Sequence, residues 1–233
     1  MTKAIFLSLS LLLTVLTGFA QKSKTYYSLT EALKTPLKVY TLNLNHNQLI
    51  SLPETIGTLT NLTKLSVSNN QLMSLPESLA ELTELTVLEL DHNKLTTIPE
   101  SIGKLVNLEY LSLYFNKLTT LPANMVKFRN LQYLSLANNQ LTTLPESVCK
   151  LRNLTTLDLK NNLFTVLPEN LAQLSHLTEL NLSHNKLTAL PKGITRLRNL
   201  TTFDFDENKG LVISPDVEKF KKKIIAKALA PMK

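Results

Sequence analysis

Four histidines, one cysteine and a scatter of serines and carboxylates are the residues of this chain that could do chemistry. Their spacing denies them most of it. His46, His92 and His184 are separated by multiples of 23 residues. In a chain that repeats at that interval they stand in one column, each two or more rungs from the next. Rungs of a parallel sheet lie ~4.8 Å apart, so His46 and His92 are ~10 Å apart, too far to share a zinc ion with ligand bonds of ~2 Å. No metal site is expected, and His176 falls elsewhere in the period. Cys149, the sole cysteine, forms no internal disulfide and has no activating neighbour in the sequence; a partly buried structural thiol is expected. No Ser/His/Asp or Cys/His arrangement converges, and no glycine-rich phosphate loop occurs. Neither catalytic residues nor cofactors are therefore expected, and the chain is read as non-enzymatic.

The elements that carry these residues follow the 23-residue step. Starting at Val39, that step meets Leu62, Leu85, Leu108, Leu131, Leu154, Leu177 and Leu200. Eight positions further on stand Asn47, Asn70, Asn93, Asn116, Asn139, Asn162, Asn185 and Asn208. Fourteen positions on stand Pro53, Pro76, Pro99, Pro122, Pro145, Pro168 and Pro191; the eighth unit has Pro215 one place late, which points to a one-residue insertion around Lys209-Gly210. Apolar residues at positions one, four and six suit a short strand with one buried face. An asparagine amide has both donors and an acceptor, so a column of them can satisfy backbone groups buried where the chain leaves the strand. Losing a central one should cost ~1–3 kcal/mol, more than losing Asn208 at the end. After the proline, apolar residues three apart (Ile56 and Leu59, Ile102 and Leu105) mark a short helix or 3-10 turn, with proline opening it. No unit buries its own apolar face, so the units must stack.

The unit L-x-x-L-x-L-x-x-N-x-L-x-x-L-P-x-x-I-x-x-L-x-N resembles the leucine-rich-repeat family in its 23-residue form. The resemblance implies an α/β fold, a right-handed solenoid curved as a horseshoe, with a parallel concave sheet and short convex helices or 3-10 turns. It covers residues 39–213 as eight units, the last irregular. Residues 1–20 are expected to be a signal peptide: Lys3, an apolar run from Ala4 to Leu16, and Gly18-Phe19-Ala20 before a polar stretch. Residues 21–38 are expected to form an N-terminal cap, with Ser28-Leu29-Thr30-Glu31 as a capping box. Residues 214–233 are expected to form a basic C-terminal cap helix with Val217, Phe220, Ile224 and Ala228 on one face. Cysteine-free caps resemble those of bacterial secreted members. The expected location is secreted, periplasmic or cell-surface, with no transmembrane segment after signal cleavage.

Net charge is +7, but residues 214–233 hold six lysines against two carboxylates, so the charge describes mainly a tail and nucleic acid is not expected as a partner. The variable strand and turn positions face the concave surface. There, Val87, Tyr110 and Tyr133 occupy the third position of consecutive units, Tyr114 and Phe115 follow in the fourth, and Glu89, Asp91 and Glu109 flank them. Clustered exposed aromatics mark binding surfaces. The expectation is a concave site for an unidentified protein partner, with an envelope glycan or an anionic surface at the basic tail as the alternative. Asp204, Asp206 and Glu207 are read as a solvated end. Asn61, Asn153, Asn181 and Asn199 lie in glycosylation sequons that the repeat's own spelling generates.

Overall fold

The computed structural model describes residues 24–228; the expected signal segment 1–20 lies outside them. Nine parallel strands in sequence order form one open sheet. They are β1 (Thr25–Tyr26), β2 (Thr41–Asn43), β3 (Lys64–Ser66), β4 (Val87–Glu89), β5 (Tyr110–Ser112), β6 (Tyr133–Ser135), β7 (Thr156–Asp158), β8 (Glu179–Asn181) and β9 (Thr202–Asp204). From β2 onward the register advances by one repeat per strand, so Thr41, Lys64, Val87, Tyr110, Tyr133, Thr156, Glu179 and Thr202 lie side by side. In each three-residue strand the middle side chain enters the core and its neighbours lie on the concave side, as side chains alternate along a strand, although Ser66, Ser112 and Ser135 there are covered. Eight repeat rungs give eight strands; the ninth, β1, comes from the N-terminal cap, whose two residues extend the sheet by pairing with β2.

The convex side consists of 3-10 turns such as Glu54–Thr58, Glu77–Glu81, Glu100–Lys104, Ala123–Lys127 and Glu169–Gln173. The preceding proline does not open the turn as its first helical residue. Pro53, Pro76, Pro99, Pro122 and Pro168 are extended, with ψ between 141° and 156°, and each stands just outside the turn. A ring that fixes φ and lacks N–H ends an extended segment equally well. The turns pack closely. A Cβ on Gly57 would lie 2.6 Å from the Ser78 carbonyl oxygen, and one on Gly103 would lie 2.8 Å from Asn124. Between sheet and turns runs one continuous leucine core that also takes in Phe128, Phe164 and Cys149. Burial pushes the Cys149 thiol up to about 11, with Glu146 adding to the effect, so it stays protonated and inert.

The two ends close differently. At the N-terminus α1 (Leu29–Ala32) has Ser28 accepting from the Glu31 N–H. Glu31 does not reach back to complete a capping box; its carboxylate pairs with Lys34 at 2.7 Å. At the C-terminus α2 (Pro215–Ala228) buries Val217 and Ile224, while Phe220 lies 6.1 Å from Phe203, which itself packs on Phe205. Asp206, expected as part of a solvated end, pairs with Lys221 at 2.6 Å, and the same ammonium lies over the Phe205 ring. The insertion at Lys209-Gly210 shows in the hydrogen bonds. Thr188 N–H donates to Thr165 O, but one rung later Val212, not Leu211, donates to Thr188 O. No described helix is long and apolar enough to cross a membrane.

Candidate functional site

Each buried ladder asparagine bonds the same set of backbone groups. Asn116 donates from Nδ2 to the Leu90 and Leu113 carbonyls (3.0 and 3.1 Å) and accepts at Oδ1 from the Leu95 N–H (3.0 Å). Asn139 repeats this with Leu113, Leu136 and Leu118. The last member, Asn208, is as fully bonded as the central ones, through Leu182, Phe205 and Leu187, because every one of its partners lies in its own rung or the rung before it. The weak member is the first. Asn47 is exposed, and its side chain holds none of these bonds; no repeat precedes it to supply the carbonyl. A second column on the opposite edge was not read from the sequence as a ladder. Asn61, Asn107, Asn130, Asn153 and Asn199 each donate to a carbonyl one rung back, and His176 takes that bond through Nδ1. The sequon asparagines among them are therefore holding backbone.

The residue before each ladder asparagine has a left-handed backbone. His46, Asn69, His92, Phe115, Asn138, Asn161, His184 and Glu207 all have φ between 51° and 59°. This geometry lets the N–H of each of the first seven reach the carbonyl of the next rung's turn, as Phe115 N–H does to Ala137 O at 2.9 Å. Asn and His tolerate that region better than most residues, which explains why six of the eight are Asn or His. The three histidines share a column for this reason.

Phe115 is the exception that matters. A bulky aromatic at φ 56° carries strain of about 1 kcal/mol, and its ring is 52% exposed. It stacks on His92 at 4.8 Å, and His92 meets the Tyr114 ring edge-on at 5.1 Å. On the adjoining strands Tyr110 and Tyr133 stack face to face, 4.3 Å apart and 4° from parallel, with Val87 next in register. Burial in this stack, and then the neighbouring Tyr133, holds the Tyr110 phenol well above the usual tyrosine range. The sequence-predicted aromatics thus share one mid-arc surface, and His92 joins them.

The flanking carboxylates are less free than their positions suggest. Asp91 turns in, accepting from the Ser112 hydroxyl and, at 3.0 Å, from the Tyr114 N–H. Burial raises its carboxyl above the ordinary range against the opposing pull of those two bonds. Glu89 accepts from Lys64 at 2.8 Å and from Ser66. Glu109 is exposed at the strand's leading edge. Asp91 therefore ties down the rung that carries Tyr114, Glu89 is engaged by the preceding strand, and Glu109 has no ion-pair partner among the described residues. Sequence spacing placed all three near the patch but does not fix the direction of a side chain.

Comparison with known proteins adds the following. A family model described as leucine rich repeat matches residues 37–95 and 83–141, and one described as leucine-rich repeat region matches residues 122–210. Among solved structures, a leucine-rich-repeat protein of Leptospira interrogans is 32% identical, with a TM-score of 0.65 over 85% of this chain and 62% of that one. The plant peptide hormone receptor RGFR1, in complex with RGF2, is 29% identical, with a TM-score of 0.56 over 72% of this chain and 32% of the receptor. An internalin of Listeria monocytogenes shares the fold at 23% identity, with a TM-score of 0.57 over 79% of this chain and 59% of that one. The chain thus spans less than two thirds of each of these structures. No protein of curated function matches the sequence.

Proposed function

We propose, from the premise that this chain belongs to the leucine-rich-repeat family, that it is a non-catalytic module which binds a protein partner on its concave face, outside the cell or at its envelope. The expected signal peptide over 1–20 supports the location. The observation that carries the reading is Phe115. A strained left-handed residue position that six of its seven counterparts fill with Asn or His here holds an exposed phenylalanine, and its ring stacks on His92 beside Tyr114. Strain retained at a surface position favours a functional role over a structural one. Tyr110 and Tyr133 each cover one face of the other, so neither ring offers both faces for a sugar to stack on, which suits a protein surface better. The plant receptor in complex with RGF2 supports a peptide or protein as the occupant.

The test is capture from secreted and envelope extracts of the source organism, with the Tyr110→Ala/Tyr114→Ala/Tyr133→Ala variant, checked for folding, as control. A protein held by the wild type and lost by the variant supports the site. Equal capture by both, or capture of no protein, sinks it. An envelope glycan held through the same three tyrosines would replace the protein reading.

A further inference from the structure

The charges of the repeats sort by position. On the concave face and its turn stand eight carboxylates (such as Asp158, Glu179 and Asp204) against Lys64 and Lys160. On the edge where the convex turns end and the chain descends toward the sheet, the balance inverts. Seven cations stand there against Glu81 and Glu84, and Glu81 is engaged by Lys104 at 3.1 Å. The densest part is on two adjacent rungs, where Lys127, Arg129, Lys150 and Arg152 are all exposed. Among the described residues, no carboxylate lies within ion-pair distance of any of these four. Arg129, Lys150 and Arg152 line a hollow of about 630 Å³ together with Val126, Cys149 and Gln173. The backbone that carries the arginines is held. The Arg129 carbonyl accepts from Asn153 and the Arg152 carbonyl from His176, both at 2.7 Å.

We propose that this edge is a second binding surface, for a linear polymer bearing phosphate or sulfate groups. Four unpaired cations of one sign, repeated from rung to rung on a fixed backbone, match a ligand whose anionic groups also repeat along a chain. Guanidinium groups meet such groups with two parallel hydrogen bonds. Single-stranded nucleic acid fits less well, because binding it draws on aromatic side chains that stack bases. Phe128, in this strip, is fully buried, and the exposed imidazole of His176 is engaged by the Arg152 carbonyl. The surface is separate from the concave patch and opposite to it in charge, so one does not depend on the other.

The experiment measures binding of the full-length chain to inorganic polyphosphate and to dextran sulfate at about 0.15 M salt, where exposed pairs are already screened. It runs beside phosphatidylglycerol vesicles and oligo-dT. The test variant is Lys127→Gln/Arg129→Gln/Lys150→Gln/Arg152→Gln; the control is Lys219→Gln/Lys222→Gln/Lys223→Gln on α2. All seven substituted residues are exposed, so a neutral polar side chain at each should leave the packing intact, and unchanged melting verifies each variant's fold. The expected result is binding of at least one polymer that weakens at least about tenfold in the strip variant and less than about twofold in the control. Preference between the two polymers distinguishes phosphate from sulfate. The proposal is overturned if neither polymer binds, if the α2 variant loses binding while the strip variant keeps it, or if only vesicles or oligo-dT are bound.

Discussion

Phe115 and Asn116 are neighbours in the chain and stand in neighbouring columns of the solenoid, yet they answer to different constraints. Asn116 is buried and spends its amide on backbone groups of its own rung and of the rung before it. From Asn70 to Asn208 its column is Asn in seven successive units because the turn leaves the same backbone groups in need of partners each time. Phe115 bonds forward through its backbone alone, and its side chain is turned out to solvent. Its column needs left-handed φ and otherwise admits Asn, His, Phe or Glu. The inner column therefore reports stability, and departures in the outer column report what the surface does. Charge follows the same division: the outward positions carry acids on the concave face and bases on the descending edge.

That division makes predictions, the largest of them inside. Phe128→Ala, which empties a fully buried aromatic site, should cost about 3–5 kcal/mol in chemical denaturation. Asn139→Ala should cost ~1–3 kcal/mol, and Asn208→Ala about the same, since both amides hold equivalent bonds. Asn47→Ala, at the exposed start of the column, should stay within about 0.5 kcal/mol. Equal losses at 47 and 139 would break the claim that the bonds, and not the residue type, carry the stability. Outside, the sign reverses. Phe115→Asn should raise stability by about 0.5–1 kcal/mol by relieving the strained φ, while weakening partner binding. A destabilised Phe115→Asn protein would show that the ring serves packing instead.

The smallest expected effect is in pH. The raised carboxyl of Asp91 is neutral in folded and unfolded chains well below about 4, the ordinary aspartate value, and there it makes no difference to stability. As pH rises through that value toward the raised folded one, the unfolded chain ionises first and stability falls. Asp91→Asn should remove this decline, so its melting temperature relative to wild type should improve from pH 4 to pH 7. An advantage that does not change with pH would count against the buried carboxyl as the cause. Asp158, raised by burial in the same way, should behave alike.

Much of the fold was legible because a repeat states each requirement several times over. The leucine columns, the strand at positions three to five and the buried asparagines follow from spacing alone, since no single unit buries its own apolar face. Local sequence does not show what a neighbouring rung supplies. Nothing in Thr25-Tyr26 marks a strand; pairing with β2 makes it one. Asn47 is spelled like its seven counterparts and differs because no repeat lies before it. Spacing alone ruled out a shared metal at the histidine column, but only the left-handed φ gave the reason for the column. The sequence also placed Tyr110, Tyr114, Phe115 and Tyr133 within reach of one another, and set acids and bases in separate columns. Tertiary structure alone decided that Asp91 turns inward, that His92 joins the aromatics and that Lys127, Arg129, Lys150 and Arg152 are left unpaired. Period fixes which column a residue occupies, but the direction and partners of its side chain depend on atoms one repeat away.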